Sequence, residues 1–250
     1  MSKYVSSNIS ENIMHIKFDR AHKKNALTED MYLELKILIN KASQNKSVKV
    51  ILISGWDDFT AGNDLRDFIE NPPEDKNSPV FKFMIALTEC PLPVISAVSG
   101  FAVGIGTTML LHCDLVYASK NSLFMMPFIN LGLVPEFASS LLLQKRTGYL
   151  KAAEMLMLGE KFDAKTALEY RLINQICEES ELTNVALNSA KKLSAKPREL
   201  LITTKALIRR ESETIKGRIE LEADYFIEQL GNPELPTSML VRLGASCHHL

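Results

Sequence analysis

Three short stretches of this chain hold residue types able to act together on an acidic C–H bond. "TAGNDLRDF", residues 60–68, places Gly62 after an apolar strand-like run, so that consecutive N–H groups can point outward at the strand's carboxyl end. "SGFAVGIGTT", residues 99–108, joins a second apolar run to a helical one. Gly104 and Gly106 let the backbone approach a ligand closely there, and the helix start behind them favours negative charge. "NLGLVPEFASS", residues 130–140, sets one carboxylate, Glu136, in apolar company. Each stretch also has a plainer reading. Asp64 can be the cap of an ordinary strand-to-helix turn, the Gly104–Gly106 segment a tight turn, and Glu136 an acidic residue decorating the first turn of a helix. Taken together, two N–H-rich loops and a lone carboxylate suit enolate chemistry, in which backbone donors hold a developing oxyanion while the carboxylate moves a proton.

Other chemistries fit poorly. A dinucleotide fingerprint would need glycine where Met109 stands, a phosphate-cradling loop would need a Gly-Lys-Ser/Thr ending, and no G-x-S-x-G elbow surrounds Ser99. The histidines supply no obvious base for a nucleophile. His15 lies in a strand pattern and His248 and His249 in the tail, while His112, on an apolar helix, reads as a satisfied core or interface residue. Cys90, Cys113, Cys177 and Cys247 are widely spaced without a CxxC pair, so neither a metal site nor a disulfide framework is expected, and reduced thiols in a cytosolic protein fit better. A net charge of -1 gives no reason to expect nucleic acid or an anionic membrane as partner. No apolar stretch forms a convincing membrane span, because His112 and Asp114 break the longest one. The N-terminus lacks the marks of a signal or transit peptide, and the C-terminal CHHL is not the peroxisomal S-K-L address, so a cytoplasmic location is expected.

The elements that must position these stretches follow from hydrophobic periodicity. With 46% apolar and 24% charged residues over 250 positions, the chain suits one large α/β domain. "NIMHIKFD", "VKVILISG" and "PLPVISAVSG" read as strands; "LTEDMYLELKILINKASQ", with Thr28 as its cap, and "SPVFKFMIALTEC" read as helices. "TTMLLHCDLVYAS" starts helical and passes into a strand. This alternation predicts a mainly parallel sheet with helices over its faces. Beyond residue 150 the strands are expected to stop, leaving a core domain over residues 1–195 and a helical region over 196–250. "NPPEDKNSP", residues 71–79, reads as a mobile loop, and no internal repeat or low-complexity tract is visible.

"TAGNDL", "PVISAVSGFAVGIGTTMLLHCDLVYAS", "FMMPFINLGLVPE" and "AAEMLMLGEKFDAKTALEYRLINQI" occur in an order and spacing that resembles the enoyl-CoA hydratase/isomerase (crotonase) family, across residues 5–210. The resemblance implies a spiral of ββα units with a C-terminal helical region that takes part in trimerisation. It implies an acyl-CoA substrate, no cofactor beyond the CoA of that substrate, and a homotrimer or hexamer. By position, the two backbone donors of the oxyanion hole fall on Asn63 and Ile105. Ala61, Gly62, Asn63, Asp64 and Leu65 would lie against the thioester and pantetheine, with Gly104 beside the ligand. "KKNAL", with Lys24, Ala26 and Leu27, would lie near the nucleotide end, and Phe128 and Leu133 would line the acyl pocket.

The carboxylates divide the family. Hydratases carry glutamates at the positions equivalent to Thr108 and Phe128, and this chain has neither. Dienoyl-CoA isomerases carry an acid at the position of Phe128 and an aspartate at that of Glu136. A single glutamate at 136, in "GFAVGI…PF…LG…PE…SS", resembles Δ3,Δ2-enoyl-CoA isomerases of the peroxisomal type, which act in fatty acid β-oxidation. The resemblance thus implies a single-glutamate proton shuttle. The alternatives are another crotonase-type acyl-CoA enzyme, a hydrolase or decarboxylase, or a non-catalytic acyl-CoA binder. Two places depart from the pattern: Arg171 stands where most relatives have glycine, in a turn that suits positive φ, and the segment after residue 231 does not look like the usual family ending.

Overall fold

The apolar runs of the first half become strands of one sheet in a computed structural model that describes residues 2–209 and 214–231. β1 (Val5–Ser10) and β2 (Ile13–Phe18) form a hairpin, and α1 (Glu29–Gln44) leads to β3 (Val50–Ser54). Helices α2 (Leu65–Glu70) and α3 (Pro79–Glu89) precede β4 (Val94–Val98) and β5 (Phe101–Val103). α4 (Ile105–Thr108) continues as a 3-10 turn over Met109–His112 into β6 (Leu115–Ser119) and β7 (Leu123–Met125). Then come α5 (Ser139–Thr147), α6 (Tyr149–Leu158), β8 (Phe162–Asp163), α7 (Ala164–Glu169) and β9 (Gln175–Cys177). Three helices close the described chain: α8 (Leu182–Ser194), α9 (Arg198–Ile208) and α10 (Ile215–Leu230).

The strands form a six-stranded sheet, ordered β1-β2-β3-β4-β6-β9, and a three-stranded sheet, ordered β5-β7-β8. The large sheet is parallel except for the β1–β2 hairpin. β4 and β5, then β6 and β7, divide between the two sheets, which makes the repeating turn of a crotonase-like spiral. Every residue of β3 and β4 is buried, as expected of inner parallel strands covered on both faces. Isolated parallel bridges pair Thr60 with Ala102 and Leu27 with Asn63, and so carry the small sheet's edge toward the two glycine loops.

One expectation is overturned and another is met only in part. Strands do not stop at residue 150: β8 and β9 lie beyond it. They run only two and three residues, too short for alternation to be seen against the surrounding helical spacing. Thr28 does stand at the N-cap of α1, with its carbonyl accepting from the Tyr32 N–H at 3.1 Å, but its side chain makes no capping hydrogen bond. The Arg171 turn has the positive φ that its position implies, 60°, with an arginine in place of the usual glycine.

The last helices are tied to the sheet by charge. Lys205 in α9 donates to Asp114 at 2.8 Å and to the Leu92 carbonyl at 2.6 Å, while Arg209 donates to Asp114 at 3.0 Å. Phe226 of α10 meets the rings of Phe68 and Phe81 edge-on. The stretch 71–78 is a loop whose Asp75 carboxylate accepts the Asn77 N–H at 2.7 Å. Cys90, Cys113 and Cys177 are buried thiols, while Cys247, His248 and His249 lie outside the described residues. Among the described residues no helix is long and apolar enough to cross a membrane.

Candidate active site

The two glycine loops meet through main-chain contact. Thr60 donates to the Phe101 carbonyl at 2.8 Å and accepts from the Val103 N–H at 3.0 Å. Gly62 has φ 88°, and a Cβ there would stand 2.7 Å from the Val103 carbonyl oxygen. A Cβ on Gly106 would stand 2.7 Å from the Thr60 methyl. Both glycines are therefore required by close approach. Around Asn63 the main chain is paired: Leu27 donates to the Gly62 carbonyl at 2.7 Å and Asp64 to the Leu27 carbonyl at 2.8 Å. The N–H groups of Asn63 and Ile105 themselves have no acceptor among the described residues. Gly104 has φ 54°, and a Cβ there would meet no atom within 4 Å.

The "KKNAL" loop is locked to the first of these loops. Lys24 and Asn25 take φ values of 49° and 55°. The buried Asn25 amide donates to the Asp58 carbonyl at 2.6 Å and accepts from the Arg20 N–H at 2.7 Å, and its carbonyl accepts from the Thr60 hydroxyl at 2.7 Å. Lys24 is exposed, its ammonium 4.4 Å from the centroid of the Phe101 ring. Ala26 and Leu65 are half-buried and Leu27 is buried. Asp64 does what its plainer reading required: it caps α2 through the N–H groups of Arg66 and Asp67 and pairs with Arg20 at 2.6 Å. Burial opposes its charge, but the Arg20 hydrogen bond and the Asp67 N–H outweigh it and hold the carboxyl below its ordinary value.

Glu136 contradicts its plainer reading. It is 2% exposed, and it lies ahead of α5, whose first turn holds no acidic residue. Its Oε1 accepts a hydrogen bond from the Thr108 hydroxyl at 2.6 Å. Thr108 closes the short helix that Ile105 opens, so one element carries both a free backbone donor and the carboxylate's partner. After Glu136, Phe137 and Ala138 take φ values of 57° and 55°, rare for side chains with a Cβ. Phe128 and Leu133 are buried on the same loop, with Leu133 donating to the Phe128 carbonyl at 2.9 Å. Phe128, Leu133 and Phe137 share one apolar cluster, with the half-buried Val134 packed against it.

Some participants carried no readable signal in sequence. The Tyr32 hydroxyl donates to the Asn63 side-chain oxygen, and nothing in "MYLEL" distinguishes Tyr32 from an ordinary core residue of α1. Burial raises this phenol well above its ordinary value, and the charges of Glu136 and Asp67 push the same way. In the sequence Thr108 marks only the absence of a second acid. His112 is buried, as its apolar helix implied, but its two ring nitrogens point to Phe137 and Thr88.

The spiral fold and this paired-loop site define a crotonase-type acyl-CoA enzyme. The family model described as enoyl-CoA hydratase/isomerase matches residues 8–235, and the chain belongs to that family. It is 34% identical over 213 residues to enoyl-CoA delta isomerase 2 of Homo sapiens, covering 82% of this chain and 54% of that protein. The chain thus spans about half the length of the human relative. To 1,2-epoxyphenylacetyl-CoA isomerase of Escherichia coli K12 it is 28% identical over 234 residues, covering 90% of this chain and 89% of that one. Among solved structures, OdaA of Pseudomonas aeruginosa is 38% identical, with a TM-score of 0.92 and 100% of both chains covered.

Proposed function

We propose that this chain is a Δ3,Δ2-enoyl-CoA isomerase using Glu136 as its single acid–base group. Glu136 removes a C2 proton from a 3-enoyl-CoA. The thioester oxygen, gaining negative charge, accepts hydrogen bonds from the N–H groups of Asn63 and Ile105. The double bond shifts, and the protonated glutamate returns its proton at C4. One base suffices because both carbons lie within reach of one swinging carboxylate. The observation that carries this reading is the buried Glu136 carboxylate held by the Thr108 hydroxyl. Where hydration calls for a second acid, this chain supplies an alcohol and, at Phe128, a hydrocarbon. The likeness to a delta isomerase supports the same assignment.

In the same reading Ala61, Gly62, Asp64 and Leu65 border the thioester and pantetheine with Gly104, Lys24, Ala26 and Leu27 lie toward the nucleotide, and Phe128 and Leu133 line the acyl pocket. CoA enters only as part of the substrate. Assembly into a homotrimer or a dimer of trimers belongs to the proposal, and light scattering that finds a monomer at micromolar concentration would remove it. The 1,2-epoxyphenylacetyl-CoA isomerase likeness keeps a second reading in view, another acyl-CoA reaction on the same enolate site. Incubation with 3-hexenoyl-CoA tests the choice. Conjugated 2-enoyl-CoA absorbance is expected to appear, and its absence alongside C2 proton exchange would favour the second reading.

A further inference from the structure

The elbow that presents Glu136 has no glycine to ease it, since Phe137 and Ala138 occupy the left-handed region with full side chains. Such a conformation persists only where its surroundings over-determine it. One residue grips Phe137 twice. His112 Nε2 lies 2.7 Å from the Phe137 carbonyl oxygen, and the two rings stack with centroids 3.9 Å apart and planes 20° from parallel. A carbonyl oxygen can only accept, so Nε2 carries the hydrogen. His112 Nδ1 lies 3.1 Å from the Thr88 hydroxyl. Burial pushes the imidazole pKa down to about 3, against the pull of the Phe137 carbonyl and with help from Arg209, Arg146 and Lys205. The ring is therefore neutral near pH 7, and Nδ1 accepts from Thr88, so a single tautomer is fixed from both sides. The frame behind it is anchored in turn. Arg209 donates to the His112 carbonyl, to the Thr88 carbonyl at 3.4 Å and to Asp114 at 3.0 Å.

We propose that His112 is a positioning residue for Glu136, fixing the main chain from which its carboxylate swings by clamping the neighbouring Phe137 at both carbonyl and ring. The proposal rests on the reading of Glu136 as the base. His112 neither meets the substrate nor moves a proton; it holds Phe137, the residue at which the main chain turns directly after the glutamate.

Three variants test it: His112→Phe keeps an aromatic stack without the donor, His112→Gln keeps a donor without the stack, and Thr88→Val releases Nδ1 alone. Readouts are kcat and KM for 3-hexenoyl-CoA, deuterium uptake at C2 of hexanoyl-CoA in heavy water, and calorimetric affinity for hexanoyl-CoA. For His112→Phe, kcat is expected to fall ~10- to 100-fold, the scale of a misplaced catalytic group, with KM and affinity within about 2-fold of wild type. His112→Gln should recover part of that loss, and Thr88→Val should show a smaller loss in kcat alone. In the Glu136→Gln background His112→Phe should add nothing, because residues that act as a unit are non-additive. Wild-type kcat in folded His112→Phe, or losses that multiply in the double variant, would overturn the proposal. If His112→Phe does not fold, wild-type kcat in folded Thr88→Val overturns it instead. Should Glu136→Gln exchange the C2 proton as fast as wild type, the base reading fails and takes this proposal with it. Should Glu136→Gln lose exchange while His112→Phe keeps it in full, only the positioning role falls.

Discussion

The glycine loops and the Glu136 elbow solve the same steric problem in opposite ways. Gly62 and Gly104 reach φ 88° and 54° without a Cβ, and what they offer is backbone. Phe137 and Ala138 reach φ 57° and 55° with side chains intact, and their neighbour offers a carboxylate. Where an N–H does the work, glycine lets two segments close to contact, and side-chain identity beside it matters little. Where a side chain does the work, the backbone must hold one direction, and here a stacked ring and a hydrogen-bonded carbonyl impose it. The difference teaches that backbone strain at this site has two sources of support, one intrinsic to residue type and one supplied by packing.

Disabling the elbow's carboxylate should have the largest effect. Glu136→Gln matches the side chain in shape but cannot take the proton, so isomerase turnover is expected to fall ~100- to 10,000-fold, the range for a general base. Affinity for acyl-CoA should stay near wild type, measured by calorimetry. Comparable turnover would return Glu136 to a structural role, and hydratase activity in the wild type would sink the single-base mechanism.

On the glycine side, Asn63→Pro deletes the N–H itself and should lower turnover ~100-fold or more. Asn63→Ala deletes only the amide that Tyr32 holds and should cost within about 10-fold, the scale of one hydrogen bond. Steady-state kinetics on folded protein separate the two. Equal losses would mean that the side chain, not the backbone, is the functional group, and the contrast between loops and elbow would disappear.

Acid should act on the elbow more than on the loops. His112 has a folded pKa of about 3 against 6.5 ordinarily, so below about pH 6.5 the unfolded chain takes up a proton that the folded chain refuses. The stability that a neutral His112 contributes is complete above that pH and is lost as pH falls from 6.5 toward 3. Thermal melts across this range should therefore decline less steeply for His112→Gln than for wild type. Parallel declines would show that His112 is not buried as a neutral ring.

The smallest effect is expected at another left-handed turn, that of Arg171. Arg171 is exposed at φ 60°, so Arg171→Gly should stabilise the fold by about 1 kcal/mol with turnover unchanged. A destabilised variant would mean that the arginine makes a contact worth more than its strain.

Much of this is legible in the sequence. Five-residue runs that are apolar but for Ser54 and Ser96 mark β3 and β4, because inner parallel strands are buried on both faces. Gly62, Gly104 and the carboxylate at 136 stood out because glycine after a strand and an acid among apolar residues are each locally unusual. The ββα repeat was not legible as a repeat, since successive turns share geometry rather than residues. Nor were β8 and β9, whose two and three residues are too few to carry a period.

The sequence by itself determined which residues were available for chemistry: two glycine-freed loops and Glu136, with no second acid at Thr108 or Phe128. Only the tertiary structure decided how they are held. The Thr108 hydroxyl on Glu136, Tyr32 on Asn63 and His112 on Phe137 join residues 28, 31 and 25 positions apart. Local patterning reports which face of an element is buried. It does not report which neighbour a buried polar atom finds, because that pairing is settled when distant elements pack and each buried donor must meet an acceptor.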